Sequence, residues 1–337
     1  MRDRAGSMAL RTAVLTRLVD RVRGSIETST MEDLQRRRAT VYPGVAPFTW
    51  LTGAIDPTVR RTEITVSARD GAAIPLRCYQ PRSTGAMPLI VFIHGGGWVQ
   101  GSTRMYDPIC TRLAREVEAV VVSIDYRMAP EHLAPTAAED CIDVVSALLD
   151  GPQAPALESV DVSRVALAGD SAGGNLAAVV AQQLRHRRGP DDRPSIRGQV
   201  LVYPAVDLTM ASPSIEEFPD APILTRDGIY TFRNLYLDGR FSTDGAPLDD
   251  PRGTDPLLSP IHCDATEVAP ALVQVAELDP LRDDGLRYAE HLRASGVNAR
   301  ITQYRRLPHG YLSMPGACPG ADSAIEEIVA FLRQVLG

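Results

Sequence analysis

From about residue 60 onward, short apolar runs alternate with longer stretches whose apolar residues recur every three or four positions. The short runs, at 63–67, 74–79, 89–93, 120–124, 165–168, 199–203, 272–276 and 299–304, predict eight strands. Several are continuous in Val, Ile and Leu rather than alternating, the pattern of parallel strands covered on both faces. The intervening stretches at 104–117, 137–149, 173–187, 285–294 and 324–336 predict helices. This alternation points to an α/β fold, a mostly parallel sheet with helices on both faces. The first two strands, joined by the Asp70-Gly71 turn, predict an antiparallel hairpin at one edge.

Two segments break the rhythm. Residues 1–55 precede the sheet, and residues 208–262, rich in Pro, Asp and Gly with one helical stretch at 226–237, interrupt the α/β domain expected over 56–337. Together they are expected to form a helical cap, because an insertion after the carboxyl end of a strand sits where α/β sheets bind ligands. In the first segment Met8, Val14, Leu15, Leu18, Val19 and Val22 recur at helical spacing. The stripe is read as a helix packed over the body of the α/β domain, with a membrane-surface anchor as the competing reading. Arg11, Arg17 and Asp20 interrupt any signal-peptide core. No run approaches the roughly 18–20 apolar residues needed to cross a bilayer. A cytoplasmic protein, with peripheral membrane association at most, is the expectation.

Composition narrows the class. With 337 residues, 44% hydrophobic and 23% charged, the chain suits one large globular domain and neither a disordered nor a membrane class. A net charge of −7 argues against a nucleic-acid partner. All 35 basic residues are Arg, which fits a GC-rich gene and says nothing of mechanism. Cys78, Cys110, Cys141, Cys263 and Cys318 are odd in number and form no C-x-x-C pair, so buried thiols in a reducing compartment are expected. No His lies at ligand spacing from a Cys (His262 and Cys263 are merely adjacent), and no metal site is expected.

The chemistry begins at Gly169-Asp170-Ser171-Ala172-Gly173, a G-x-S-x-G run between an apolar strand and a small-residue helix. That context suits a nucleophile on a tight strand-to-helix turn, with flanking glycines giving clearance and the Ala172 N–H aimed at a developing oxyanion. A phosphate-cradling turn is the alternative, but no G-K-S/T follows. Upstream, His94-Gly95-Gly96-Gly97-Trp98 follows a strand, and its glycines let backbone N–H groups approach a substrate as a second oxyanion element. Its G-x-G-x-x-G spacing fails, so a dinucleotide loop does not fit, and His94 is expected to anchor the loop.

A serine nucleophile needs an imidazole, and the imidazole an orienting carboxylate. Of the six histidines, His309 follows the last strand and precedes the final helix, which satisfies the chain order Ser, acid, His. His291 is read as solvated within a polar helical run, and His262 falls in the insertion, before the strand that should deliver the acid. Asp279 follows the strand at 272–276 and Glu277 competes with it; Asp283 and Asp284 are read as opening the next helix. Trp98, Asp170 and Tyr203 are candidates for the pocket wall.

Four motifs in order, HGGGW at 94–98, DYRMAPEH at 125–132, GDSAGGN at 169–175 and DPLRDDG at 279–285 with HG at 309–310, resemble the bacterial hormone-sensitive lipase family of α/β-hydrolases, in the branch carrying GDSAGG. The resemblance spans residues 60 to 337. It implies an eight-stranded α/β-hydrolase sheet and a carboxylesterase of lipid-metabolising type, acting on short- to medium-chain esters. It further implies Ser171 as nucleophile, His309 as base, Asp279 as orienter, and oxyanion donors in the Gly95, Gly96, Gly97 and Ala172 backbone. No cofactor, and often a homodimer through the last strand or helix, are implied too. DYRMAPEH, with Met128 where Leu is usual, is implied to be a supporting loop, and Tyr311 replaces a common Phe. An amidase or deacetylase with the same triad, a membrane-surface lipase and a binding protein are the competing readings. The plant gibberellin receptor shares the scaffold but lacks the catalytic His, so His309 argues against the last.

Overall fold

A computed structural model of the chain describes residues 8–41, 45–83, 85–189, 192–240 and 250–337. Positions 1–7 and 42–44 of the expected N-terminal cap segment, and 241–249 of the insertion, lie outside the described residues. Eight strands, β1 (Arg60–Ser67), β2 (Ala73–Gln80), β3 (Met87–Ile93), β4 (Val120–Ile124), β5 (Val160–Asp170), β6 (Ile196–Val202), β7 (Ala271–Leu278) and β8 (Ala299–Pro308), form one sheet in the order β1-β2-β4-β3-β5-β6-β7-β8. β1–β2 and β2–β4 pair antiparallel, and every later pair is parallel. The edge hairpin and the parallel body are therefore both as expected.

The helices are α1 (Leu10–Arg23), α2 (Met31–Ala39), α3 (Phe48–Thr52), α4 (Asp107–Val117), α5 (Thr136–Asp150), α6 (Ala172–Gln183), α7 (Pro213–Glu217), α8 (Arg226–Asp238), α9 (Arg282–Ala294) and α10 (Ala321–Leu336). α5, α6 and α9 cover one face of the sheet, and α4 and α10 the other. The strands show why their sequences do not alternate in polarity. In β3, Leu89, Val91 and Ile93 enter the first core while Ile90 and Phe92 enter the second. Each such side chain removed from water contributes about 1.5–3 kcal/mol, so a polar residue on either face would be costly.

Several boundaries differ from expectation, β5 for example starting at Val160 rather than 165. The stretch 104–117 starts as a 3₁₀ turn, Thr103–Tyr106, with Pro108 then at the start of α4, where its missing N–H costs nothing. α6 stops at Gln183, and the Arg-rich segment after it runs instead to an isolated bridge between Arg188 and Pro194. β8 continues past Tyr304 to Pro308 through a register shift, with Arg306 at φ 63°; its exposed Arg305-Arg306 pair carries no apolar signal to mark a strand.

The N-terminal stripe also packs differently. α1 turns Thr12 and Thr16 inward, each hydroxyl donating to a carbonyl (Ala317 and Thr12), which lets polar side chains be buried. Leu15 and Val19 pack partly against the core, while Leu10, Val14, Leu18 and Val22 face outward. The stripe expected to lie over the enzyme body is thus divided between two faces.

The N-terminal segment touches both the insertion and the glycine loop. Asp20 accepts from the Ile223 N–H, and the Thr225 hydroxyl donates to Glu27 at 2.8 Å. α2, capped reciprocally by Thr30 and Asp33, presents Arg38 to the carbonyls of Val99 and Ala129 and to the Glu131 carboxylate. Asp283 and Asp284 do more than open α9. Asp283 accepts from the Ser214 N–H, and buried Asp284 accepts from the N–H groups of Val206 and Asp207 and from the Ser212 hydroxyl. Burial pushes the Asp284 carboxyl up to about 7. Four of the five cysteines are buried and all are free thiols.

Candidate active site

The site stands at the carboxyl ends of β3, β5, β7 and β8. β5 ends at Asp170 and α6 begins at Ala172, so Ser171 alone turns the chain. It does so at φ 54°, ψ −121°, a conformation a residue with a Cβ rarely adopts. The turn is held because Ser171 N–H donates to Val202 in β6 and the Asn175 N–H returns to the Ser171 carbonyl. It also requires Gly173: a Cβ there would lie 2.0 Å from the Ile93 carbonyl oxygen of the neighbouring strand.

The turn lifts the Ser171 hydroxyl to 2.9 Å from His309 Nε2. His309 Nδ1 lies 2.7 Å from Asp279 Oδ2. Asp279 is fully buried just past β7, and its other oxygen accepts from the Leu281 N–H at 2.8 Å. A buried carboxylate with an N–H donor on one oxygen and an imidazole on the other is fixed in orientation, and so is the ring it holds. The Tyr203 ring, 4.6 Å from the His309 ring and 5.0 Å from that of Tyr311, closes the remaining side. Glu277 points elsewhere, accepting from the Arg306 N–H at 2.7 Å in β8.

The glycine loop approaches from β3. Gly96 has φ 126°, and a Cβ on it would lie 2.0 Å from the Gln100 carbonyl, so only glycine closes this turn. Gly96, Gly97 and Ala172 line the cavity beside Ser171. Their N–H groups have no acceptor among the described residues. Gly95 differs: its N–H donates to Asp170 Oδ1 at 2.9 Å, so of the four expected oxyanion donors it is engaged elsewhere.

Asp170 is the hub of this loop. Fully enclosed, it accepts from Gly95 and from the hydroxyls of Tyr106 (3.1 Å) and Tyr203 (3.3 Å). Burial pushes its carboxyl up to about 6, against the hydrogen bonds from Tyr106 and Gly95, which favour the charged form. With its folded value above the ordinary Asp value, the folded state holds the extra proton between about pH 4 and 6, and its contribution to stability falls as pH rises through that window. Asp170→Ala would take the acceptor from the Tyr106 and Tyr203 hydroxyls and leave the Gly95 N–H only its 3.1 Å contact to the Tyr106 oxygen, loosening the loop. The expected result is a fall in kcat of about 10²-fold with a smaller change in KM, the magnitude of losing one oxyanion donor. Asp170→Asn, which keeps an acceptor for Gly95, should recover most of the rate; steady-state kinetics on both variants checks this.

DYRMAPEH braces the same loop. Tyr126 donates to the His94 carbonyl at 2.9 Å and stacks on the His94 ring, and the Ala129 N–H donates to Trp98. His94 is buried with Nδ1 2.8 Å from the Gly95 carbonyl, and burial holds its imidazole below the ordinary value, which favours a neutral anchor. Tyr311 places its extra hydroxyl on Gln274. His291, expected to be solvated, is half-buried with Nε2 2.8 Å from the Cys263 carbonyl, because α9 lays that side chain against the insertion.

A cavity of about 400 Å³ opens above Ser171, within the range of small-molecule sites. Trp98 and Asp170 line it as expected, Trp98 stacked on Tyr236 at 4.7 Å. Tyr203 does not; its ring is buried behind His309. Much of the remaining wall is apolar and comes from the N-terminal segment (Leu18, Val22, Leu51) and the insertion (Ile223, Leu224, Phe232), with Arg23 and Arg37 of the N-terminal segment also lining it. The sequence does not assign these residues or Tyr106 to the site: spacing puts Leu18 and Val22 on a helical stripe and Tyr106 and Phe232 in helical stretches without showing what they face, and Leu51, Ile223 and Leu224 carry no periodic signal.

The chain and its fold have known relatives. A family model described as alpha/beta hydrolase fold matches residues 90–313. The chain is similar to carboxylesterase NlhH of Mycobacterium tuberculosis, 38% identical over 281 residues covering 83% of this chain and 84% of that protein. It is also similar to ethyl acetate hydrolase of Pseudomonas putida, 33% identical over 289 residues covering 85% and 86%. Among solved structures, the hyperthermophilic esterase from the archaeon Pyrobaculum calidifontis superposes with a TM-score of 0.80 at 33% identity, covering 98% of this chain and 99% of that one. The chain belongs to the α/β-hydrolase fold family, within its carboxylic ester hydrolases of hormone-sensitive lipase type.

Proposed function

We propose that the protein hydrolyses short- to medium-chain acyl esters through an acyl-enzyme formed on Ser171. The observation that carries this reading is the unbroken chain from Ser171 Oγ through His309 to buried Asp279, at 2.9 Å and 2.7 Å. His309 takes the serine proton as Oγ attacks the ester carbonyl, and Asp279 stabilises the resulting imidazolium. The oxyanion rests on the N–H groups of Gly96, Gly97 and Ala172. His309 then protonates the departing alcohol, and water repeats the sequence to release the acid.

The mostly apolar cavity supports an acyl group, and its modest volume supports chains of limited length. The name of the ethyl acetate hydrolase fits a short acyl chain. Residues 1–55 and 208–262 act in this reading as a two-part cap, supported by their mutual contacts and shared cavity wall. The free buried thiols suit a cytoplasmic setting, and the open β8 edge suits pairing with a second copy.

A series of p-nitrophenyl esters on the purified protein tests the proposal. The expected kcat/KM is highest for acetyl to octanoyl chains and falls steeply for palmitoyl. A maximum at palmitoyl, or turnover confined to anilides, would refute the substrate class.

A further inference from the structure

We infer that the outward face of α1 is a docking surface for an anionic lipid bilayer, seated so that the cavity mouth opens against the lipid. The helix leaves Leu10, Val14, Leu18 and Val22 exposed by 81%, 56%, 54% and 81%, aliphatic side chains in a row at four-residue spacing. The other residues exposed on this helix are Arg11, Arg17 and Arg21; Asp20 is turned toward the Ile223 N–H. Aliphatic and cationic groups, with no acid among them, match a surface of acyl chains below anionic headgroups.

Three further observations favour this occupant. Arg17 and Arg21 form no ion pair with any described residue. They stand on a segment of opposite charge to the rest: residues 1–55 hold nine Arg against five acids, whereas the whole chain is at −7. A second copy laid on the same face by a two-fold axis would bring these Arg rows together, which disfavours self-association there. The row is also continuous with the site, for Leu18 and Val22 both belong to it and line the cavity above Ser171. Trp50, half exposed beneath the Arg11 guanidinium at 4.7 Å, extends the patch with a side chain suited to the headgroup level. Esters dissolved in a membrane would then reach the cavity along the rim without crossing water. Docking stands on the surface alone; delivery rests on the esterase reading above.

The test uses full-length Ser171→Ala protein, so that turnover plays no part, sedimented with sucrose-loaded vesicles. Binding is expected to phosphatidylcholine–phosphatidylglycerol vesicles, to be weak on phosphatidylcholine alone, and to fall with added salt. Arg17→Ser/Arg21→Ser should lower the partition coefficient about thirtyfold, and Leu10→Ser/Val14→Ser should lower it as well. In the active background both double variants should hydrolyse dissolved p-nitrophenyl acetate like the parent, which shows that they fold. Absence of vesicle binding overturns the proposal. So does binding that ignores lipid charge and both variants, or a dimer that the variants dissociate while no vesicle is bound. Vesicle binding by a protein whose active form cleaves no ester would sustain the docking surface and refute the esterase reading instead.

Discussion

Ser171→Ala is expected to reduce kcat/KM on p-nitrophenyl butyrate by about 10⁴- to 10⁶-fold, with thermal stability nearly unchanged. The two halves of this expectation have separate origins. The rate depends on Ser171 Oγ as the atom that forms the acyl bond, and no neighbouring group replaces it: His309 Nε2, its partner at 2.9 Å, would activate only water. Stability loses a single partly buried hydrogen bond, about 1 kcal/mol at most. The strained backbone is kept, because its φ of 54° is imposed by bonds to Val202 and Asn175 that Ala retains. His309→Ala should be about as damaging alone, and the double variant little worse than either, since residues acting in one proton-transfer unit are not additive. Mass spectrometry after a slow ester adds a direct readout, an acyl adduct on the parent and none on Ser171→Ala. Activity within tenfold of the parent would move the nucleophile to another residue.

The sequence made the sheet legible because the β3, β4 and β7 strands, buried on both faces, admit few polar residues along their length. The motif residues were legible for a different reason: Gly173 and Gly96 stand where a single Cβ would collide with backbone, and such positions tolerate no other residue. What the sequence did not convey was tertiary. Nothing local separates Gly95 from Gly96 and Gly97, yet Gly95 turns its N–H to Asp170 because Asp170 is buried 2.9 Å away and needs donors. Tyr106 opens a helix with no mark of its partner, sixty-four positions on. The face of α1 was ambiguous because threonines that bond to carbonyls can be buried as readily as valines. Wall residues such as Ile223 and Phe232 gain their place from how two distant segments meet, which no spacing encodes.

The choice between the two carboxylates at the end of β7 carries the other large effect. Asp279→Asn is expected to lower kcat by about 10⁴-fold, whereas Glu277→Gln should cost less than about tenfold. The sequence leaves both residues open, two positions apart on the same strand end. Their partners separate them. Asp279 Oδ2 holds His309 Nδ1 at 2.7 Å while Oδ1 is fixed by the Leu281 N–H, so an Asn amide there has its oxygen claimed by Leu281 and presents its NH₂ to the ring. Nδ1 would then have to accept, its proton would move to Nε2, and the nitrogen facing Ser171 Oγ could no longer take a proton. The loss of charge also removes the counter-ion of the imidazolium formed as Oγ attacks, in a pair whose carboxylate is fully buried and whose ring is nearly so. Glu277 instead accepts one N–H from Arg306, which a Gln carbonyl still accepts, so β8 keeps its bend and His309 its place. Steady-state kinetics on short p-nitrophenyl esters, with circular dichroism to confirm that both variants fold, decides between them. A crippled Glu277→Gln beside an active Asp279→Asn would reverse the assignment.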